Sequence, residues 1–316
     1  MSAERTLPGD AVPDGRPPLG LGVDAGGTAT RWRLAAGGAP VAGGAVEPLS
    51  GHIYSPEAEA RARAIVAALA EAAAAHGRPA AIVAGVTGLA PDAPAVALLR
   101  GLFAEAFGLP EARIRVVEDM WIAYLAHFAP GEGYLVYSGT GSIGYHLDPD
   151  GGAVSVGGRG YLIDDAGSGF WIAREALKVV LRAEEEAPGR GWSTALGTAL
   201  AARIGGTSWG DVRAVVYGGD RGRIGSLAQA VAAAASSEDP VALAILREAG
   251  RELARLAGCL IGRLGPRPVA LAGGSARLHP LVAETFRAAL PGAIPVLARD
   301  DRDAALAAAH LAARMG

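Results

Sequence analysis

Gly22-Val23-Asp24-Ala25-Gly26-Gly27-Thr28-Ala29-Thr30 is the point at which a strand-like run, Leu19–Ala25, breaks into a turn and resumes as Arg31–Ala36. A strand that ends in Asp and turns through two glycines exposes several backbone N–H groups in a concave nest suited to phosphate oxygens. Thr28 and Thr30 add hydroxyl donors. Asp24 is placed to hold a hydrated Mg²⁺, a hard cation that favours carboxylate and water oxygens. An ordinary hairpin turn accounts for the same residues, because Gly-Gly pairs recur in a chain with 46 glycines.

The arrangement occurs again. Tyr134–Tyr137 runs into Ser138-Gly139-Thr140-Gly141-Ser142, and Ile143–Leu147 leaves it. Gly27 and Gly141 lie 114 positions apart, about one domain length, so strand, glycine turn and strand form a weak internal repeat. Two such turns in matching halves can clamp one polyphosphate from both sides; each is also readable as a plain hairpin. A third glycine turn, Leu271-Ala272-Gly273-Gly274-Ser275-Ala276, follows the buried strand Val269–Ala272 and precedes a helix over about 279–290. Glycines there admit a flat base or a ribose, and serve equally in helix caps and tight turns.

Around these turns the periodicity alternates between strand and helix. It predicts a third strand at Val41–Val46, a helix over 57–76 stopped by Gly77, a buried strand Ala81–Val86, a helix over about 94–107 and a strand Arg113–Glu118. Later helices are expected over 168–187, 226–235 and 239–264, with a surface loop near 188–191, a strand near 294–297 and a terminal helix from about 302. This is an α/β layer pattern. Residues 1–18, with four Pro and two Gly, read as a disordered leader. An N-terminal α/β lobe is expected over 19–118. A C-terminal lobe with a helical insertion is expected over 119–316, its last helix packing back on the first lobe.

Composition narrows the chemistry. The chain has 316 residues, 51% hydrophobic and 19% charged, enough for two globular domains. A net charge of −3 gives no nucleic-acid surface, and no apolar stretch is long enough to span a bilayer, so a cytoplasmic protein is expected. A single cysteine, Cys259, excludes a disulfide framework and a Cys-rich zinc site. Lys178, the only lysine, stands outside any G-x-x-x-x-G-K-[ST] loop, which removes the Walker-type nucleotidases. The chain has no asparagine at all.

The three glycine turns, in this order and spacing, resemble the N-acetylglucosamine kinase group of the BadF/BadG/BcrA/BcrD ATPase family, within the actin-like ATPase superfamily. The resemblance runs from about residue 20 to the C-terminus and includes the stretch Ile224–Leu264 with Asp239-Pro240 before its long helix. It implies a duplicated actin/hexokinase/Hsp70-like, ribonuclease H-like two-lobe fold and a homodimer that phosphorylates a small amino sugar with ATP and Mg²⁺. Gly26, Gly27, Thr28 and Thr30 would form the first phosphate motif. Gly139, Thr140, Gly141 and Ser142 would form the second, and Gly273, Gly274 and Ser275 the adenosine motif. Asp24 would hold the metal.

Asp119, at the end of the strand Arg113–Glu118, reads from its surroundings alone as an N-cap of the helix Met120–Phe128. The resemblance gives it the role of general base for the sugar hydroxyl, with Glu118 as second choice. It also assigns Val156-Gly157-Gly158-Arg159-Gly160 and Asp164-Asp165-Ala166-Gly167-Ser168 to the sugar, through Gly158, Arg159 and Asp165. Arg159 stands where many members have tryptophan, a departure associated with glucosamine-phosphorylating relatives. Thr87 and Gly88, in Gly85-Val86-Thr87-Gly88-Leu89-Ala90, match a loop beside the sugar. Ser50-Gly51-His52 falls where many relatives carry an asparagine on the sugar.

Two other readings share the fold. Redox activators bridge two subunits with an iron–sulfur cluster and need paired cysteines, which this chain lacks. A non-catalytic ATP or sugar sensor would not need both Asp24 and Asp119.

Overall fold

Both glycine-turn strand pairs sit at the centre of a five-stranded sheet, and the two sheets have the same order. The computed structural model describes residues 17–90, 92–297 and 302–316, so most of the leader expected over 1–18 lies outside the described residues. The chain divides into two compact units. One takes in residues through Ala126 together with Asp303–Gly316, and the other is His127–Arg302.

The first unit begins with β1 (Gly20–Ala25), β2 (Thr30–Ala36) and β3 (Ala39–Val46), an antiparallel meander. Helix α1 (Pro56–Ala74) starts where Ser55 accepts the Ala58 N–H and Pro56 sets the first helical φ. Strand β4 (Ala81–Val86) then pairs in parallel with β1, and after helix α2 (Pro94–Phe107) strand β5 (Ile114–Glu118) pairs in parallel with β4. The sheet order is β3-β2-β1-β4-β5. All six residues of β4 are buried, as its unbroken apolar run requires of a central parallel strand.

Helix α3 (Asp119–His127) follows directly. The lobe boundary expected after Glu118 therefore falls instead after Ala126. Ile122 and Tyr124 are fully buried and Ile122 packs over Gly85 of β4, so α3 cannot leave the first unit.

The second unit repeats the plan with β6 (Tyr134–Ser138), β7 (Ser142–Leu147) and β8 (Ala153–Gly157). Then come helices α4 (Gly169–Glu186), α5 (Ala195–Ile204), α6 (Trp209–Gly218), α7 (Arg221–Ser226), α8 (Ala228–Ser236) and α9 (Pro240–Leu264). Strand β9 (Val269–Ala272), helix α10 (Pro280–Ala289) and strand β10 (Val296–Leu297) complete the sheet β10-β9-β6-β7-β8. Helix α9 is capped by Asp239, which accepts from Val241 and Ala242 and also from Leu196 N at 3.1 Å. Its buried stripe of Ile245, Leu246, Ala249, Leu253, Leu256, Ala257 and Leu260 has the three- and four-residue spacing of one helix face.

The last helix, α11 (Ala304–Met315), lies flat on β1. A Cβ on Gly20 or Gly22 would run into the α11 backbone, at Ala313 N and Ala305 O respectively. Two glycines on the strand and Ala305, Ala308, Ala309 and Ala312 on the helix let the backbones approach this closely. The Arg113 guanidinium donates to the Met315 carbonyl and fixes the helix's far end.

Candidate active site

In the first unit the functional residues collect where parallel strands end. The register aligns Asp24 of β1 with Gly85 of β4, and Gly85 with Val117 of β5. Three neighbouring strands therefore deliver Asp24, Thr87 and Asp119 to one carboxyl edge, the usual ligand-binding edge of open α/β sheets. Gly85 is necessary here because its missing Cβ would lie 3.2 Å from the Asp119 Cα. Without that space the start of α3 could not sit beside β4.

The edge is acidic. Burial, and then the Asp119 carboxylate, push the Asp24 carboxyl from 3.8 up to about 6; Arg31 across the β1–β2 pair opposes this, and Asp303 at the cap of α11 adds to it. Asp303 itself pairs with Arg33 at 2.8 Å. Among the described residues no three His, Cys, Asp or Glu side chains converge to chelate a metal ion. A half-buried Asp24 carboxylate with the Asp119 carboxylate nearby fits Mg²⁺, which keeps most of its waters and takes one or two carboxylates.

The first glycine turn leaves this edge. It is closed by Gly26 N–H donating to Ala29 O at 3.1 Å. Gly27 and Thr28 are exposed, and their N–H groups have no acceptor among the described residues. Thr30 lies behind the turn. It is fully buried, and its Oγ1 accepts the Leu49 N–H at 2.8 Å, so its hydroxyl ties the turn to the chain at Leu49. Beside the turn, Thr87 N–H donates to Ala25 O and Thr87 O accepts from Gly51 N, each at 2.9 Å. Gly88 has φ +71° and lies under the His52 ring.

In the second unit the corresponding turn is built inside out. Gly139 O accepts from Ser275 Oγ at 2.7 Å and from Gly169 N at 2.9 Å. Thr140 O faces Phe170 N at 3.4 Å, Gly141 O accepts from Gly139 N at 2.9 Å, and Ser142 O accepts from Gly158 N at 3.0 Å. With these carbonyls turned inward, the Thr140 and Gly141 N–H groups are left without acceptors among the described residues. That is the arrangement of an anion-binding nest. Gly273, at φ +101°, packs its Cα face directly on the Ser138 carbonyl, joining the third glycine turn to the second.

Ser142 lies on the inner side of this turn. Only 4% exposed, its Oγ donates to Ala166 O at 2.8 Å and so braces the turn from behind. Ser275 is likewise committed to Gly139 O. Asp165, in a left-handed conformation at φ +56°, is buried beneath the same turn. Its Oδ1 accepts Gly160 N at 3.3 Å, and its Oδ2 lies 2.8 Å from where a Gly141 Cβ would be. Burial raises its pKa, against the pull of the Gly160 N–H and the Arg221 guanidinium. A non-glycine residue held at positive φ stores strain of the kind found at ligand sites. Gly158 and Arg159 are exposed, and Arg159 makes no ion pair among the described residues.

Several residues of these sites gave no local signal in the sequence. Arg221 reaches Asp165 from the helical insertion, and Asp303 reaches Asp24 from the far end of the chain; Gly169 N, next to the Ser168 that the glycine-rich stretch did flag, holds the second turn.

Comparison with known proteins bears on both units. The family description "BadF/BadG/BcrA/BcrD ATPase family" matches residues 21–295. An N-acetylmuramic acid/N-acetylglucosamine kinase of Clostridium acetobutylicum is 36% identical over 143 residues, an alignment that spans 45% of this chain and 46% of that relative. A Chromobacterium violaceum structure, provisionally named an N-acetylglucosamine kinase, superposes with a TM-score of 0.71 at 27% identity, covering 93% of this chain and 99% of that one. A ROK family glucokinase from Streptomyces griseus, in complex with glucose and AMPPNP, shares the fold with a TM-score of 0.58 at 20% identity, over 94% of this chain and 100% of its own. The fold is thus the duplicated α/β fold of the actin-like and hexokinase-like sugar kinases.

Proposed function

This chain belongs to the BadF/BadG/BcrA/BcrD ATPase family, and from that premise we propose that it transfers the γ-phosphoryl group of ATP to a hydroxyl of an amino sugar, glucosamine or N-acetylglucosamine, at the 6-position. The observation that carries this reading is the placement of Asp119 beside Asp24 on one carboxyl edge. One carboxylate takes the proton of the attacking hydroxyl while its neighbour serves the cation.

In this reading Asp119 accepts the hydroxyl proton as the sugar oxygen bonds to the γ-phosphorus. The bond to the β-bridging oxygen breaks, ADP leaves, and the proton stays on the Asp119 carboxyl until solvent removes it. A positioned base contributes roughly 10²–10⁴-fold to such a step. Gly26, Gly27 and Thr28 in the first unit, and the outward Thr140 and Gly141 N–H groups in the second, serve the phosphates. Gly273 and Gly274 serve the adenosine. Mg²⁺ at Asp24 would neutralise charge on the transferring phosphoryl. Gly158 and Arg159 meet the sugar, with Asp165 offering the lone pairs that Gly160 and Ser142 leave over, while Thr87 and Gly88 line the acceptor side in the first unit.

The decisive test is ADP release with a panel of amino sugars and neutral hexoses. Turnover that requires glucosamine or N-acetylglucosamine supports the reading. Sugar-independent turnover supports an ATPase activator, and no turnover supports a sensor. A specificity role for Arg159 predicts that Arg159→Trp changes the ratio of glucosamine to N-acetylglucosamine efficiency. We place the enzyme in the cytoplasm as a homodimer, which light scattering checks. No helix among the described residues is long and apolar enough to cross a membrane.

A further inference from the structure

We propose that β3, an outer strand of the first unit's five-stranded sheet, pairs antiparallel with β3 of a second copy of this chain, so that one sheet runs through both copies. The inference is independent of the sugar-kinase reading, because it concerns association and not turnover. The two sheets end in β3, β5, β8 and β10. Strand β10 has two residues, β8 has five, and β5 has five that include Arg115 and Glu118. Strand β3 has eight residues, Ala39-Pro40-Val41-Ala42-Gly43-Gly44-Ala45-Val46, and none is charged. Natural edge strands are shortened, charged or interrupted, because their unpaired N–H and C=O groups invite another strand. In β3, Pro40 and the shift in register at Leu34/Ala35 interrupt only the first half, leaving Ala42–Val46 regular. Among the described residues, that stretch makes no backbone hydrogen bond beyond its pairing with β2.

The two glycines keep that edge clear of side chains. A Cβ at Gly43 would lie 2.7 Å from Arg33 Cδ, and one at Gly44 would lie 3.0 Å from the Trp32 ring. Arg33 and Trp32 are successive residues of β2 and point to opposite faces, so both faces of β3 are covered from its neighbour. What stays open is the side away from β2. Trp32 is 3% exposed, and its indole N–H, lying over Gly44, has no acceptor among the described residues. A buried donor left unpaired beside a bare edge marks a surface that something covers. The fitting occupant is an extended, uncharged backbone, and β3 is itself one. Antiparallel self-pairing about a twofold axis satisfies the outer groups of both copies in one contact and needs no complementary charge. It also sets the two Glu47 carboxylates, each one residue past its strand, at opposite ends of the seam. The rival occupant from within the chain is residues 1–16, but Pro8 and Pro13 lack the N–H that a ladder needs.

The test uses the full-length protein and reads two things: the dimer dissociation constant by sedimentation, and amide exchange by mass spectrometry of peptides spanning residues 39–46. Wild type should be a dimer in which the Ala42–Val46 amides exchange more slowly than in the monomer obtained by dilution or by Ala45→Lys. Ala45 is exposed, so Ala45→Lys should fold normally. It sets two ammonium groups on one seam and should raise the dissociation constant by about tenfold or more. Ala45→Thr, neutral and strand-favouring, should remain dimeric with its β3 amides protected. If Ala45→Lys does not fold, Ala45→Glu takes its place, with the same repulsion from the opposite sign. A wild type that stays monomeric overturns the proposal. So does a dimer whose β3 amides exchange as fast as in the monomer, or a charged variant that dimerises as tightly as wild type. Protection of β3 that persists in the monomer means that the edge is covered from within the chain, which overturns it as well.

Discussion

In the first unit the turn after β1 leaves Gly27 and Thr28 open, and its charge comes from side chains, Asp24 and Asp119, with Asp303 nearby. In the second unit the turn after β6 is half-buried and braced from behind. Its carbonyls are held by Ser275, Gly169 and Gly158, and its N–H groups are what remain. The same strand order thus yields one edge of carboxylates and one nest of amides. In the proposed reading the carboxylate edge serves cation and proton, and the amide nest serves an anion. An open turn tolerates motion, whereas a nest works only if its donors are held in place beforehand.

The largest effect tests the acidic edge. Asp119→Asn keeps the side-chain size and can still accept the Met120 N–H, now at 2.9 Å, so melting temperature should hold while kcat falls by roughly 10²–10⁴. Near-normal turnover in a folded variant would move the base to Glu118. Next comes the asymmetry between the turns. Gly273→Ala forces a Cβ into the Ser138 carbonyl at positive φ and should cost about 2–4 kcal/mol in urea unfolding. Gly27→Ala meets nothing within 4 Å and should cost less than about 0.5 kcal/mol. Equal losses would erase the distinction between packed and open turns.

A smaller effect concerns charge. The Asp24 pKa is raised from 3.8 to about 6 in the fold, so its contribution is fully present below the lower value and is lost as pH rises through the upper one. Without divalent cations, Asp24→Asn should therefore be more stable than wild type at neutral pH. The gain should be on the order of 1–2 kcal/mol after solvent screening, shrinking to nothing near pH 4. A variant less stable at neutral pH would mean that the Asp24 charge is well paired. Comparable in size is Ser275→Ala, which removes one hydroxyl donor from Gly139 O and should cost about 1 kcal/mol. A rise in the KM for ATP should accompany that loss, and an unchanged KM would detach this hydroxyl from the nest.

Much of the fold was legible because apolar periodicity and glycine turns coincide. The Ala81–Val86 strand and the helix from Pro94 to Phe107 lie where the pattern put them. The insertion was harder. Gly197 in α5, Gly210 and Gly218 in α6, and Gly222 and Gly225 in α7 interrupt any stripe, so these helices went unseen although Ser208 and Asp211 form a capping box. Strand β8 was missed because only Val156 is buried. At the candidate site the glycines were legible and the hydroxyls were not. Nothing local distinguishes Thr28, which faces out, from Thr30, which holds Leu49, because the difference arises from a partner nineteen residues away.

The seating of α11 on Gly20 and Gly22 also bears on the order of synthesis. Residues 127–302 are made before the helix that completes the first unit, so the second unit can fold on emergence while β1 waits with one face uncovered. The unit that starts first finishes last.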